Sequence, residues 1–369
     1  MKKRLVLIVA AAFAICWQMN AGPVSCYGKL QVKGKDIVGS KTGTTPVQVK
    51  GVSMGWSNTG WESDAYFNAN TVNAMVDLWK AEIIRAPLGV GNFGSYTSSE
   101  NNRKLNKERV ENVIKAAIDK DVYVIIDWHS HNAHKETNDA KEFFYEMAGK
   151  YGNNDHVIFE IYNEPVSITW AAIKEYADEI VKAIRQYSNN LILVGTPFYS
   201  QRPHDVKNNV VTDPKNNTAY VVHFYANTHP LREFRSAIET TQSRNQAVFV
   251  SEWGTCHSDG GQNANLHTHS AANSDEWHAF LDEKKISSCA WELNYKNQAA
   301  SYFSKYFNPA TAAHDDFINE NNLRESGKYI YALLQDWATK APWRTANCTK
   351  SVTTPKPTTS SVPYYLRQR

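Results

Sequence analysis

At residues 157–165 the chain reads Val157-Ile158-Phe159-Glu160-Ile161-Tyr162-Asn163-Glu164-Pro165, an apolar run that closes on a carboxylate and a proline. A second stretch has the same form, Ala247-Val248-Phe249-Val250-Ser251-Glu252-Trp253-Gly254. Apolar and β-branched runs of this length, broken by Pro or Gly, are typical of strands buried on both faces. Each stretch therefore predicts a strand that delivers one glutamate at its C-terminal end.

Similar runs recur along most of the chain, and helical patterns separate them. We predict strands at Val47–Ser53, Ala81–Leu88, Val122–Trp128, Val157–Ile161, Leu191–Gly195, Tyr220–Phe224, Ala247–Ser251 and Ser287–Glu292. The helical patterns are clearest at Lys107–Asp119, Ala171–Arg185 and Lys328–Thr339. Strands that alternate with helices indicate a parallel sheet, and eight such units predict an α/β fold, a (β/α)8 TIM barrel with a single catalytic domain. The alternative is an open doubly wound sheet, but no Gly-x-Gly-x-x-Gly or Walker motif supports it.

The two ends of the chain differ from the middle. Residues 1–26 are predicted to be a secretory signal peptide, because basic residues (2–4) precede an apolar stretch (5–15) that is too short to span a bilayer. The catalytic domain is expected at residues 27–345, starting with a small hairpin below the barrel. Residues 346–369 are rich in Thr, Ser and Pro and predict a disordered tail.

A secreted protein can carry disulfides and glycans. We expect signal cleavage between Ala21 and Cys26, which leaves Cys256, Cys289 and Cys348, plus Cys26 if it is retained. The spacing does not decide which cysteines pair. Glycosylation sequons begin at Asn216 and Asn347 and matter only in a eukaryotic host.

The charge pattern limits the kinds of partner. The 369 residues carry a formal net charge of +3 with both signs dispersed, so neither a nucleic acid nor a membrane surface is a predicted partner. There are 11 Trp and 19 Tyr residues, which can fill a core or line a sugar-binding cleft. We expect a secreted, extracellular monomer.

Polar and aromatic residues collect where the predicted strands end, which is where barrel enzymes place their active sites. In chain order these residues are Arg85, His129, Asn163, Glu164, Tyr199, His223, Tyr225, Glu252 and Trp291. Two carboxylates that face one cleft are what a glycosidase needs. A lone glutamate at a strand end is usually structural, but Glu164 on the fourth strand and Glu252 on the seventh form such a pair.

The motifs resemble glycoside hydrolase family five (clan A), and within it the secreted endo-β-1,4-glucanases, or cellulases. The stretches that carry the resemblance are Tyr123-Val124-Ile125-Ile126-Asp127-Trp128-His129, Asn163-Glu164-Pro165 and Phe249-Val250-Ser251-Glu252-Trp253-Gly254-Thr255. The resemblance implies that the partner is a polysaccharide, a β-1,4-glucan, whose internal β-1,4-glucosidic bonds are hydrolysed by a retaining double displacement. In that scheme Glu164 is the proton donor and base, with a pKa raised by burial, and Glu252 is the nucleophile.

The resemblance also implies roles for the surrounding residues. Asn163 would hydrogen-bond the sugar 2-hydroxyl, and Arg85 with Tyr225 would hold Glu252. The expected further substrate-binding residues are His129, His223, Trp291, Trp56, Tyr96, Tyr199 and Lys296. For the aromatic residues, packing under a loop is the competing interpretation. No metal or cofactor is expected.

Several alternatives stay open. A β-mannanase or glucomannanase, or a mixed-linkage glucanase, would use the same scaffold, and Glu292 stands where members of the family often have a small residue after the tryptophan. A non-catalytic carbohydrate-binding protein is a second class. A third is a metallohydrolase built on His129 and His131, with His134 nearby.

Overall fold

The computed structural model describes residues 21–262, 268–346 and 348. A hairpin of β1 (Leu30–Lys33) and β2 (Asp36–Gly39) precedes a closed barrel of eight strands. The barrel strands are β3 (Lys50–Met54), β4 (Ile83–Gly89), β5 (Tyr123–His129), β6 (Val157–Glu160), β7 (Ile192–Val194), β8 (Thr218–Tyr225), β9 (Val248–Gly254) and β10 (Ser288–Leu293). Neighbouring barrel strands run parallel, and β10 pairs with β3 to close the ring. The (β/α)8 prediction is confirmed, and each barrel strand overlaps its predicted segment.

Helices occupy the connections between the barrel strands, with one more helix before the first strand and one after the last. They are α1 (Pro23–Tyr27), α2 (Ala69–Asp77), α3 (Glu100–Asp119), α4 (Thr137–Tyr151), α5 (Trp170–Ile184), α6 (Pro197–Ser200), α7 (Leu231–Ser243), α8 (Ala271–Lys284) and α9 (Glu325–Lys340). Helix α3 begins well before the predicted Lys107, because Ser99 caps it by accepting a hydrogen bond from the backbone N–H of Asn102. Among these described helices, none has the length and apolar character needed to cross a bilayer.

Two predicted segments fall largely outside the described residues. Residues 1–20 of the predicted signal peptide (1–26) are not described, and neither are residues 347 and 349–369 of the predicted Thr/Ser/Pro-rich tail (346–369). The predicted lead-in hairpin is described, and it contributes Leu30 and Ile37 to the apolar cluster at the base of the barrel. A disulfide joins Cys26 to Cys348, which are 322 residues apart in sequence.

The alternation of side chains along each strand sorts the barrel into layers. In the lower interior lie Ile83, Ile125, Ile158, Val221 and Phe249, which share one apolar cluster. The next residue on each strand faces the helices, and these are Ile84, Ile126, Phe159, Val222 and Val250. Because side chains alternate with a period of two, the residues that follow in the interior are Arg85, Asp127, Glu160, His223 and Ser251. A polar layer therefore lies directly above the apolar one.

A β-bulge in β9 breaks this alternation at one place. On the β8 side Val221 pairs with Phe249, but His223 pairs with Glu252. Strand β9 thus has one extra residue between these pairs. A bulge re-aims the side chains that follow it. Two consecutive residues, Ser251 and Glu252, therefore both face the interior.

A buried ion pair ties helix α5 to the segment before β8. The Arg185 guanidinium donates to both carboxylate oxygens of Asp213, each at 2.8 Å. Asp213 also accepts the backbone N–H of Asn217 at 2.9 Å. Burial alone would raise the pKa of Asp213, but Arg185 and the backbone donors lower it to about 2.

We expect Asp213→Asn to lower the free energy of unfolding by about 3 kcal/mol near neutral pH, because it leaves the Arg185 charge buried and unpaired. The folded-state pKa of about 2 lies below the ordinary 3.8, so this contribution is complete above the ordinary value and is lost as the pH falls towards 2. Urea unfolding of both proteins at neutral pH and at about pH 3 measures the difference.

The matched control is Glu179→Gln, which removes an exposed ion pair with Lys141. It should cost less than about 0.5 kcal/mol at either pH. If the difference in the free energy of unfolding between the wild type and Asp213→Asn is the same at both pH values, the lowered pKa assigned to Asp213 is contradicted.

Candidate active site

The Arg85 guanidinium lies at the centre of the polar layer and is fully buried. Its Nε donates to Glu160 Oε2 at 2.7 Å, and its Nη1 donates to Glu252 Oε2 at 2.7 Å. Its Nη2 donates to Asn163 Oδ1 at 2.7 Å and lies 2.9 Å from Asp127 Oδ2. One cation therefore fixes three carboxyl groups and one amide from strands β5, β6 and β9 and the loop after β6.

The three carboxyl groups around Arg85 are not equivalent. Burial raises the pKa of Asp127 well above its ordinary value, and the nearby Glu160 and Glu252 raise it further against the opposing effect of Arg85. Burial alone would also raise the pKa of Glu160, but Arg85 and His223 lower it, so Asp127 binds a proton more readily than Glu160. Its Oδ2 also contacts His129 Nδ1 at 2.7 Å, and burial lowers the pKa of His129 well below its ordinary value.

Glu252 is held by two donors, one at each carboxylate oxygen. Arg85 binds Oε2, and the Tyr225 hydroxyl donates to Oε1 at 2.8 Å. Burial raises the pKa of Tyr225 well above its ordinary value, so its hydroxyl stays a neutral donor. The predicted partners of Glu252 are thus both in place, and they leave its carboxylate a single orientation.

Glu164 is held by two histidines. His223 Nδ1 lies 3.0 Å from Oε1, and His131 Nε2 lies 3.2 Å from Oε2. Burial alone would raise the pKa of Glu164, but hydrogen bonds from His131 and His223 lower it to about 2. Burial would lower the pKa of His223, but Glu252, Glu160 and Glu164 raise it to about 9. The expectation of a raised Glu164 pKa is therefore wrong for the site without substrate. There Glu164 is ionised, and the proton resides on its histidine partners.

The two glutamates face each other across a short gap. Ligand atoms of Glu164, His223 and Glu252 all lie within 4.8 Å of one another, so the two carboxylates are at most this far apart at their nearest oxygens. Retaining glycosidases separate their two carboxyl groups by roughly 5–5.5 Å. The gap can accommodate an anomeric carbon at one carboxylate and its leaving oxygen at the other.

The three histidines of the metallohydrolase alternative point to separate partners. His129 Nδ1 contacts Asp127, His131 Nε2 contacts Glu164, and His134 Nδ1 contacts the Tyr162 hydroxyl at 2.8 Å. They therefore do not converge on one point as metal ligands would. Of the described residues, the set that could approach an ion is Glu164 with His223 and Glu252, and both ring nitrogens of His223 are already hydrogen-bonded.

Aromatic rings surround these groups at the mouth of the barrel, the opening at the C-terminal ends of its strands. Trp291 stacks on His129 with ring centroids 5.2 Å apart, and Trp56 meets the same imidazole edge-on at 4.3 Å. Tyr199 is 39% exposed and lines a hollow of about 440 Å³ together with Glu164 and His223. Lys296 lies over the Trp61 ring at 5.2 Å.

Tyr96 is the predicted substrate-binding residue that the structure does not bring to the mouth. It is 2% exposed, and its ring packs edge-on against Trp128 and Phe143. The Arg103 guanidinium covers one of its faces at 4.7 Å. The expectation that Tyr96 contacts substrate is therefore corrected in favour of packing.

Three residues of the site, Asp127, Glu160 and Ser251, were not predicted, and His131 was predicted only as a possible metal ligand. Glu160 accepts a hydrogen bond from Ser251 Oγ at 2.5 Å as well as from Arg85. A charged residue inside an apolar strand, such as Glu160 after Phe159, was the available signal, because an ion buried there needs a partner. His131 had no comparable signal, since its partner Glu164 is distant in sequence.

Comparisons with known proteins give one consistent result. The family described as Cellulase (glycosyl hydrolase family 5) matches residues 40–297. The chain is 38% identical over 316 residues to Endoglucanase Z of Dickeya dadantii (strain 3937), covering 85% of this chain and 67% of that protein. It is 33% identical over 329 residues to Cellulase CelDZ1 of a Thermoanaerobacterium species, covering 83% and 80%. The chain spans 67%, 58% and 66% of the length of the first three curated relatives.

Solved structures agree with the sequence comparisons. A Cytophaga hutchinsonii structure matches with a TM-score of 0.77 and 37% identity, covering 86% of this chain and 97% of that one. The catalytic domain of Thermobifida fusca endoglucanase Cel5A (E5) matches with a TM-score of 0.73 and 28% identity, covering 85% and 100%. With its barrel, its paired glutamates and these relatives, the chain belongs to glycosyl hydrolase family 5, the cellulase family.

Proposed function

We propose that the protein is a retaining endo-β-1,4-glucanase that hydrolyses internal bonds of cellulose and related β-glucans. The observation that carries the proposal is the approach of the Glu164 and Glu252 carboxylates to within 4.8 Å at the mouth of the barrel. This approach suits a double displacement, in which no water has to fit between the nucleophile and the anomeric carbon. The names of the similar proteins, endoglucanases and a cellulase, support the choice of substrate.

In the first half of the reaction Glu252 attacks the anomeric carbon. The bond to the leaving sugar breaks, and its oxygen takes the proton of Glu164. Arg85 and Tyr225 hold the attacking carboxylate in place, which lowers the cost of reaching the transition state. The proton reaches Glu164 from one of its two histidine partners, since His223 Nδ1 lies 3.0 Å from Oε1 and His131 Nε2 lies 3.2 Å from Oε2.

In the second half a water molecule replaces the leaving sugar. Glu164 takes a proton from this water, whose oxygen attacks the anomeric carbon and releases Glu252. The ester of Glu252 carries no negative charge, so the pKa of Glu164 is lower in the intermediate than in the substrate complex. A lower pKa makes Glu164 the base that this step needs.

The remaining mouth residues are proposed to bind sugars. We assign Asn163 to the 2-hydroxyl and Trp291 with His129 to the sugar at the cleavage point. Trp56 and Lys296 would bind the glucan on the nucleophile side, and Tyr199 would bind the leaving-group side, because it shares a hollow with Glu164. Aromatic faces suit pyranose rings because those rings expose C–H groups above and below.

We also propose that the protein is exported and acts as a monomer. The Cys26–Cys348 disulfide supports an oxidising compartment. The backbone N–H of Gly22 donates to Asp121 Oδ2 at 2.6 Å, so the folded domain already includes residues near position 22. A leader that ends close to Ala21 therefore suits the fold better than one that ends at residue 26, which would remove Cys26.

The substrate proposal is tested by measuring reducing-end release from carboxymethyl cellulose, barley mixed-linkage glucan, xylan and glucomannan side by side. We expect the glucans to be cleaved with a steep loss of viscosity, because an endo-acting enzyme cuts in mid-chain. A preference for glucomannan would move the assignment to a mannanase on the same scaffold. If none of the four substrates is hydrolysed, a non-catalytic carbohydrate-binding protein is favoured.

We expect Glu252→Ala to lower kcat by about four orders of magnitude or more, because no other group can form the covalent intermediate. The control is Glu239→Ala, at an exposed glutamate that pairs with Lys284 on the helices outside the barrel. Circular dichroism of both variants confirms that the fold is kept. Residual turnover near the wild-type rate would exclude Glu252 as the nucleophile.

We expect Glu164→Ala to slow glucans by about 10²- to 10⁴-fold, since their sugar leaving group needs a proton. Aryl cellobiosides with acidic phenols need no such help, so their bond-cleavage step should be slowed far less. Pre-steady-state release of the phenol isolates this step. Equal losses on both substrate types would contradict the role of Glu164 as the acid.

A further inference from the structure

His131 occupies an unusual position among the groups around Glu164. The other partner, His223, is 1% exposed on β8 and is fixed through its Nε2 to Ser251 Oγ at 2.9 Å. His131 lies in the loop after β5, and 43% of its side chain is exposed. Of the two imidazoles that bind Glu164, His131 is therefore the one a substrate can reach and displace.

The fold holds the His131 loop against the Glu164 loop by backbone contacts. The Glu164 N–H donates to the Ser130 carbonyl at 3.3 Å. The Tyr162 hydroxyl donates to the His131 carbonyl at 3.1 Å. The Ser130 side chain accepts the Asn132 N–H at 2.9 Å and tightens the turn. These contacts hold the two loops together and so keep His131 beside Oε2 of Glu164.

We infer that His131 is a positioning residue that shares one proton with Glu164 through Oε2 and thereby sets the upper pH limit of leaving-group protonation. The inference rests on the proposed role of Glu164 as acid and base. In the free site the shared proton is on His131 Nε2 and Glu164 is ionised. Transfer to Oε2 gives a neutral imidazole and a carboxylic acid, so no net charge is created and no further reactant is needed.

The surroundings of His131 favour this sharing. The main cause that raises the pKa of His131 is the hydrogen bond that its imidazolium donates to the Glu164 carboxylate, and the charge of Glu252 adds to the rise. Burial and the nearby His223 act in the opposite direction. His131 meets two aromatic rings edge-on, with ring centroids 6.4 Å from Trp56 and 6.0 Å from Tyr199. A glucan that spans these rings would pass His131 and press it away from the carboxylate.

A shared proton has a predictable effect on the pH profile. While the imidazole is present, the pair keeps its proton to a higher pH than Glu164 would alone. The proton can reside on either group, and the hydrogen bond between the charged imidazolium and the carboxylate stabilises the protonated pair. Without the imidazole, Glu164 loses the proton earlier as the pH rises. Removing His131 should therefore move the alkaline limb of kcat/KM to lower pH.

The test is the pH profile of kcat/KM on a soluble glucan for His131→Gln. Glutamine can still donate a hydrogen bond to Oε2 but does not titrate. We expect the alkaline limb to move to lower pH by about half a unit or more. The control is His134→Gln, in the same loop but bonded to Tyr162, which should leave the limb in place. A uniform loss at every pH without a shift would show a merely structural His131 and overturn the inference.

A second measurement does not depend on turnover. Nitrogen-15 NMR follows the titration of the His131 ring in the wild type and in Glu164→Gln. We expect the His131 midpoint to fall when Glu164 is replaced, and an unchanged midpoint would overturn the sharing. Failure of the Glu164→Ala leaving-group test would reject the proposed function while leaving this NMR result to stand, so the two failures are distinguishable.

Discussion

Much of the site depends on the burial of one guanidinium. Arg85 has no exposed surface, and a charge in that position costs several kcal/mol unless it is paired and hydrogen-bonded. Its partners Asp127, Glu160 and Glu252 come from three different strands, so the guanidinium also sets the position of those strand ends relative to one another. Without it, three carboxyl groups would face each other in a space that excludes water.

The geometry of Glu252 depends on a second constraint, the bulge in β9. A regular strand would turn consecutive residues to opposite faces, yet both Ser251 and Glu252 reach the interior. Ser251 hydrogen-bonds to Glu160 and His223 in the lower part of the site, and Glu252 lies at the mouth. The bulge allows one strand to supply two adjacent interior groups, and so links the nucleophile candidate to the network behind Glu164.

The strands and the two glutamates could be predicted because their signals are local. Apolar runs mark the strands, and Glu164 and Glu252 each follow one of them directly. The bulge leaves no mark in the residue pattern, because Val250-Ser251-Glu252 also fits a regular strand. The protonation of Glu164 was mispredicted for a related reason: it is decided by His131 and His223, which approach from separate loops and strands. Tyr96 was misplaced because an aromatic residue near a strand end fits a cleft and a core equally well.

The disulfide between Cys26 and Cys348 has a mechanical consequence. These residues lie 5.2 Å apart at their Cα atoms, below a barrel whose strands all run between them in the chain. Tension applied to the segments before Cys26 and after Cys348 would pass through the sulfur bridge and leave the β-strands unloaded. An oxidised molecule pulled from its two ends would therefore resist unravelling, while a reduced one would transmit the force to hairpin β1–β2 and helix α9.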